Sequence, residues 1–361
     1  MSTQAGIRAP RPGDDARLDR FFDSLLAAHG AAAARLGAIS RRYRFGPGAF
    51  RLVATGGALA DGLGATFAHL RLADDGPAEL EIRCWDPPAS GVTVPPPPWQ
   101  AEAFLSKGGL HFVDTPRYAF AFSIGADTFT VHDRARNLAV FWARGGMDAI
   151  PYWERSFPFR TNFHWASASG PLQPCHAGAV GGPGGGVLVT GVSGAGKTTT
   201  TIACLEGGLR YAGDDYVLVD TGPRPTVYSL YNAAKFTDDS LARFPRLARA
   251  VWNPVRAPEH KALVYGIDNF PASLIEAMPI RALLLPRVTG GRETTLHPIA
   301  ASQAIRAIAP TTIAHLPSHE HGTLAKLTRL CRSVPCFEIA AGTDLAGIPR
   351  AVDALIAQLA P

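Results

Sequence analysis

The sequence predicts an α/β fold preceded by a smaller mixed domain that is mostly antiparallel β. Three observations carry this. Residues 184–206 read as a strand, a glycine-rich loop and a helix in succession. After that unit, short apolar strands alternate with helical segments to the end of the chain. Before it, β-forming runs are cut by Gly, Asp and Pro at short intervals. The natural division is residues 1–150 and residues 151–361.

Taken in order, residues 15–40 predict a helix, with Leu18, Phe21, Phe22, Leu25 and Leu26 on one face. Strands are expected at Phe50–Ala54, His69–Leu72 and Leu80–Cys84, and three more within "RYAFAFSIGADTFTVHD" and "NLAVFWARGG". The prolines Pro95–Pro98 cannot enter a central strand and predict an extended surface loop. The aromatic stretch from Tyr152 to Trp165 predicts a helix and its lead-in packed at a junction; a stacking surface for a base or peptide is the functional alternative. Beyond Gly170, strand Val187–Thr190 enters the loop, a helix runs to Glu206, and Gly207-Gly208 stops it. "LRYAGDDYVLVD" predicts two short strands around a Gly-Asp-Asp corner. Strands at Ala282–Leu285 and Cys336–Ile339 alternate with helices at Ala301–Ala307, His321–Cys331 and Leu345–Leu359.

Composition bounds the function. The chain has 361 residues, 47% hydrophobic and 18% charged, and a net charge of +5, which suits a globular protein with a sizeable core. The arginines are scattered and no basic run occurs, so nucleic acid is not an expected partner. No apolar run approaches the roughly 20 residues that span a bilayer, so no membrane partner is expected. Five cysteines without a CxxC pair read as reduced thiols, and a cytoplasmic location follows as the expectation.

The loop Gly191-Val192-Ser193-Gly194-Ala195-Gly196-Lys197-Thr198 satisfies GxxxxGK[ST] in full. Glycines allow successive backbone N–H groups to point at phosphate oxygens, and the helix beginning at Lys197 adds its positive end. The Lys197 ammonium reaches β- and γ-phosphates, and the Thr198 hydroxyl ligates Mg²⁺, with Thr199 following in the first turn. A nucleotide, taken as ATP with Mg²⁺, is the expected ligand. Four consecutive threonines in a first helical turn suggest that hydroxyl chemistry outweighs helix propensity.

Two features flank the loop. Asp214-Asp215 at a strand-end corner suit a base for a hydroxyl nucleophile plus a metal ligand. Asp220, at the end of "YVLVD", is a competing acid. His176 precedes the loop at the start of a strand expected to run beside it, and alone it would read as structural.

The block "HAGAVGGPGGGVLVTGVSGAGKTTTTIACLEGGLRYAGDD" resembles the catalytic core of bacterial HPr kinase/phosphorylase. The resemblance spans His176 to Asp215, and more loosely the segments "VPCFEI" and "GIPRAVDALI". It implies a P-loop kinase domain of the HPr kinase / phosphoenolpyruvate carboxykinase type. It further implies Lys197 on the phosphates, Thr198 on Mg²⁺, Asp214 as the base for a serine hydroxyl, Asp215 in metal or acceptor positioning, and His176 lining the phosphate site. The first 170 residues do not look like that family's N-terminal domain, and its "EIRG"-type segment has no clean counterpart. The chain thus looks like a diverged member, similar to kinases that phosphorylate a serine on a ribosomal peptide; homo-oligomeric assembly is left open.

Lys235 and Lys261 stand out in a lysine-poor chain as further cations for phosphate charge, and Arg287 as a residue at a strand's C-terminal end. His315, His319 and His321 in "HLPSHEH" lack a matched second motif and read as a surface loop rather than a zinc site. The expected function is an ATP-dependent serine kinase acting on a small protein or peptide. The alternatives are a small-molecule kinase or carboxykinase-like phosphotransferase, and a nucleotide-hydrolysing switch.

Overall fold

The computed structural model describes residues 14–98, 104–107, 109–314, 316–317 and 320–360. Among these, strands assemble into two large mixed sheets and a hairpin, with helices on their faces, in a mixed α/β architecture. The first sheet contains β1 (Ala38–Phe45), β2 (Gly48–Thr55), β3 (Arg71–Leu72), β4 (Leu80–Trp85), β5 (Leu105–Lys107), β6 (Leu110–Asp114), β7 (Tyr118–Ser123), β8 (Thr128–Asp133) and β9 (Leu138–Ala143). Their order is β3-β1-β2-β4-β9-β8-β7-β6-β5.

The second sheet contains β10 (Leu172–Cys175), β11 (Ala177–Gly182), β12 (Gly185–Thr190), β13 (Arg210–Gly213), β14 (Val217–Asp220) and β15 (Thr226–Tyr228). After the hairpin β16 (Ala233–Phe236)–β17 (Ala262–Tyr265), it is completed by β18 (Ala277–Val288), β19 (Thr295–Ile299) and β20 (Cys336–Ala341). Its path runs β10-β14-β15-β18-β12-β11-β13, with β20 paired to β18 and β19.

The parallel strands β12, β18 and β20 form its centre. Their near-continuous apolar runs follow from cover on both faces. Val187, Val189, Ala282 and Leu284 pack with Ile202, Leu205, Ile348 and Val352 of helices Lys197–Glu206 and Gly347–Gln358. Leu188 and Leu283 point the other way, onto Ile308, Leu327 and Leu330 of helices Ala301–Ile313 and Glu320–Ser333.

A third cluster joins the two large sheets. Phe163 is fully buried, with its ring centroid 4.9 Å from Phe45, 5.1 Å from Phe50 and 6.2 Å from Tyr231. Phe157, Phe159, Tyr216, Leu263 and Tyr265 belong to the same core. The aromatic stretch is therefore split: Phe157, Phe159 and Phe163 are buried at the junction, Trp165 is buried against Phe112, Ala119 and Ala121 of the first sheet, and Tyr152 and Trp153 stay half-exposed.

Several local expectations are corrected. The first helix ends at Leu36, because Gly37 turns the chain at φ 76° and β1 begins at Ala38. His69–Leu72 is not a strand: Ala65–Leu70 coils as a 3₁₀ helix that buries Thr66, Phe67 and Leu70, leaving only Arg71–Leu72 paired. The first sheet is less uniformly antiparallel than expected, since β2–β4 and β4–β9 are parallel, their connections being long crossovers. The two short strands expected around the Gly-Asp-Asp corner are present as β13 and β14, and they do not pair with each other. One joins β11 and the other β10 and β15, so the chain crosses between arms of the sheet there. The helix expected from Leu345 starts at Gly347, after a turn in which Gly347 N–H bonds Asp344 O at 3.0 Å. His315 and His319 lie outside the described residues, as does the side chain of His321.

Because Phe163 serves both large sheets, Phe163→Ala is expected to lower stability by about 3–5 kcal/mol. Guanidinium unfolding followed by far-UV dichroism and by tryptophan emission checks this. The expected result is one coincident transition at lower denaturant; two separated transitions would contradict a shared core.

Candidate active site

Strand β12 ends at the buried Thr190 and the chain curls through Gly191 (φ 151°), Gly194 (φ 80°) and Gly196 (φ 102°) before the helix starts at Lys197. These are conformations that side chains with a Cβ rarely adopt. A Cβ at Gly196 would also stand 3.4 Å from Val288 Cγ2. The first turn of any helix leaves N–H groups without intrahelical acceptors, so this curl presents positive partial charge. The Lys197 ammonium is buried and donates to the carbonyls of Gly191 (2.9 Å) and Val192 (3.2 Å). Burial pulls its pKa down, against the raising effect of the Asp215 and Asp214 charges.

The threonine run has a specific use. Thr198 Oγ1 donates to Asp214 Oδ2 at 2.8 Å, and Thr201 Oγ1 donates to Asp214 Oδ1 at 3.1 Å. Asp214 is fully buried, and its two oxygens clamp the first helical turn to the Gly213–Tyr216 corner. Thr199 Oγ1 lies 3.3 Å from Ser240 Oγ.

The corner itself is tight. Tyr216 N–H bonds Asp214 O at 2.7 Å, and Asp215 sits in the left-handed region at φ 60°. That conformation turns neighbouring carboxylates to different surroundings. Asp214 faces Thr198 and Thr201; Asp215 lies 3.4 Å from Lys235 Nζ and 3.6 Å from His176 Nε2. Burial and the adjacent Asp215 charge push Asp214 up to about 7. Burial acts in the same direction on Asp215, but the Lys235 ammonium and the His176 contact outweigh it and hold that carboxyl well below the ordinary range. His176 stands just before β11, its ring stacked on Tyr216 at 5.2 Å. Lys235 Nζ, on β16, lies over the ring of Phe157 at 4.5 Å.

These groups surround a cavity of about 550 Å³. Ser193, Gly194, Gly196, Lys197, Thr198 and Thr199 line one part; His176, Asp215, Lys235 and Lys261 line another. Gly191 and Ala195 belong to the loop but not to the lining, and neither does Asp214. Arg287 is directed elsewhere, with Nη2 2.7 Å from Glu338 Oε1, and the competing Asp220 caps Gly222 N–H at 2.8 Å. The lining also includes Trp153, from the aromatic stretch given a stacking surface as its alternative, and four residues that the sequence did not single out: Arg160, Tyr216, Thr237 and Ser240. For Arg160 a signal existed, because a charged residue inside the run "FPFRTNFHW" needs a partner if that run is buried. Its partners are Glu154 Oε2 at 3.2 Å and Tyr216 Oη at 3.3 Å.

A larger cavity, about 780 Å³, lies at the other end of β12. Its charged residues, Glu206, Arg210, Arg350 and Asp353, balance two against two. The smaller cavity carries Arg160, Lys197, Lys235 and Lys261 against the single carboxylate of Asp215, so charge rather than volume selects it for an anion. Among the described residues no cluster of three or more His, Cys, Asp and Glu could hold a metal ion. The oxygen donors present, Thr198 Oγ1 and the Asp215 carboxylate, fit instead a hard cation that arrives with phosphate oxygens and keeps several waters.

No family model matches this sequence, and no curated protein matches it. Among solved structures, the chain is similar to the HPr(Ser) kinase/phosphatase from Coxiella burnetii, at 11% identity and a TM-score of 0.28. The match covers 52% of this chain and 95% of that one. At that score the likeness is distant and carries no weight for function.

The raised Asp214 predicts a pH dependence in the ligand-free protein. At pH values below the ordinary 3.8, folded and unfolded chains both hold the proton and ionisation costs nothing. Between 3.8 and about 7 the folded state keeps a proton that the unfolded chain has released, so stability falls as pH rises, and above about 7 the cost is complete. Thermal unfolding of Asp214→Asn and the wild type in EDTA checks this. The variant is expected to gain on the wild type between pH 5 and pH 8; a gap independent of pH would contradict it.

Proposed function

We propose that the protein is an ATP- and Mg²⁺-dependent phosphotransferase that moves the γ-phosphoryl group to a hydroxyl, with a serine on a small protein or peptide as the acceptor. One observation carries this reading. A single cavity unites the glycine loop, Lys197 and Thr198 with a carboxylate, Asp215, that belongs to neither loop nor helix.

The geometry favours a different division of labour between the aspartates from the one the resemblance implies. Both oxygens of Asp214 are taken by Thr198 and Thr201, and the residue does not reach the cavity. Its role is to orient the Thr198 hydroxyl. Asp215 faces the cavity and is the group able to meet an acceptor hydroxyl, and accessibility precedes pKa in choosing a base. In the transfer, a bond forms between the acceptor oxygen and γ-phosphorus while the bond from γ-phosphorus to the β–γ bridging oxygen breaks. The hydroxyl proton goes to Asp215, and ADP leaves. Lys197 and the loop N–H groups hold the phosphate oxygens and stabilise their charge.

Lys235 links these events. While its ammonium sits beside Asp215 it holds that carboxyl ionised but weakly basic. Drawing Lys235 toward phosphate oxygens would weaken that hold and raise the basicity of Asp215 as the donor binds. Mg²⁺, when bound through Thr198 with Asp215 nearby, would supply charge neutralisation for the β- and γ-oxygens.

Incubating the full chain with γ-labelled ATP, Mg²⁺ and serine-containing peptides tests the reading. Label on a peptide supports it, and release of free phosphate alone would favour the hydrolysing switch. Asp215→Asn is expected to cut transfer by about 10²–10⁴-fold. Asp214→Asn should instead raise the Mg²⁺ concentration needed for half-maximal rate, and Lys197→Ala should abolish turnover. A larger loss from Asp214→Asn, with the Mg²⁺ requirement unmoved, would reverse the two roles.

A further inference from the structure

We infer that the acceptor carries an anionic group close to its reacting hydroxyl, read by Arg160 and Lys261 beside the indole of Trp153. The inference rests on the phosphotransferase reading above. It starts from an accounting of the cations in the lining. Lys197 belongs to the glycine loop and is the cation for the transferring phosphate. Lys235 and His176 are matched to Asp215. Lys261 remains without a carboxylate in the lining, and Arg160, paired with Glu154 from behind the cavity wall, still turns part of its guanidinium to the cavity.

Arg160 is built rather than incidental. Glu154, itself buried, holds one arm of its guanidinium at 3.2 Å, and Tyr216 Oη meets the other arm at 3.3 Å. Its Cζ also lies 5.3 Å from the Tyr216 ring centroid. These contacts fix the plane of a fork with five N–H donors and use only part of it. A fixed, partly engaged fork at a cavity wall suits a carboxylate or phosphate, which it can take in two parallel bonds.

Position places this cation on the acceptor's side. Arg160 touches Tyr216, the residue next to Asp215, whereas the carboxylate that grips Thr198 is Asp214, one residue earlier. The phosphate loop and Arg160 therefore address Asp215 through different neighbours. Trp153 comes from the same short segment as Glu154, and its ring lies 5.6 Å from His260, next to Lys261. Indole, guanidinium and ammonium thus come together in one lining, with the Asp215 carboxylate facing the same cavity to meet the acceptor's hydroxyl.

Two sources of this chemistry are separable by experiment. The full chain is incubated with γ-labelled ATP and Mg²⁺ in two arms. One arm uses blocked peptides with a single serine and degenerate neighbours, so that Asp or Glu is compared with Asn or Gln at each position. The other compares glycerate with glycerol. The expected result is a preference of about tenfold or more in kcat/KM for the charged member of one arm, the size of one charge-assisted hydrogen bond. Arg160→Gln is expected to bring the ratio close to one, and Arg160→Lys to keep part of it. Lys261→Gln removes an exposed side chain, so folding is not at stake; it should lower the ratio severalfold. A wild-type ratio near one overturns the inference and leaves the kinase reading standing. So does an Arg160 variant that raises the KM for ATP while keeping the ratio. Phosphate release with label on no probe in either arm removes the kinase reading and this inference with it.

Discussion

The site depends on a buried carboxylate gripping two hydroxyls. Asp214 receives Thr198 and Thr201, which are one helical turn apart on the same face. That grip fixes the start of the helix Lys197–Glu206 against the crossing between β13 and β14, and so fixes the glycine loop that leads into it. An ionised carboxylate without solvent is costly, and two hydroxyl donors offset only part of that cost. The raised proton affinity of Asp214 is the visible remainder. The threonines therefore have a reason that helix propensity alone would deny them. Thr198 and Thr201 hold the corner; Thr199 turns toward Ser240.

From that clamp the rest of the cavity is built outward by the aromatic layer. Tyr216 follows the corner directly; Phe157 packs on it at 5.3 Å, and Tyr231 packs on Phe157 at 5.2 Å. The same layer carries Lys235 on the face of Phe157 and Arg160 against Tyr216. Cations set on aromatic faces and beside a buried glutamate keep their direction without bulk water to solvate them. The first sheet contributes no lining residue, yet its Phe45 and Phe50, with Phe67 of the 3₁₀ helix, back the segment that supplies Trp153 and Arg160. It acts on the cavity through packing.

What could be read from the sequence followed from local rules, and what could not followed from long-range ones. The strand, loop and helix around Lys197 were legible because glycine, lysine and threonine at fixed spacing have few other physical uses. His176, Asp215, Lys235 and Lys261 were singled out, and they do meet in one cavity. Arg287 was not legible, because its ion pair with Glu338 is made across the β18–β20 register, which no local pattern reveals. Arg160 carried a local signal, a charge within an aromatic run, but its place in the cavity is set by Tyr216, far along the chain. The 3₁₀ turn at Ala65–Leu70 was misread because its apolar residues serve a core assembled from both halves of the chain.

The two aspartates show most clearly how little sequence adjacency says about role. They share a residue type, a strand end and a backbone turn. One left-handed residue separates their surroundings, so that Asp214 meets only hydroxyls while Asp215 meets an ammonium and an imidazole. Their proton affinities move in opposite directions as a consequence. Carboxyl pairs driven apart in this way divide the work of holding and accepting protons. The division here is set by access: the carboxyl with the higher proton affinity is sealed behind Thr198 and Thr201, and the one that faces the cavity is restrained by Lys235. In the transfer proposed above, a group that engages Lys235 would change the basicity of Asp215, so anion binding and proton acceptance would be coupled through the Lys235–Asp215 pair.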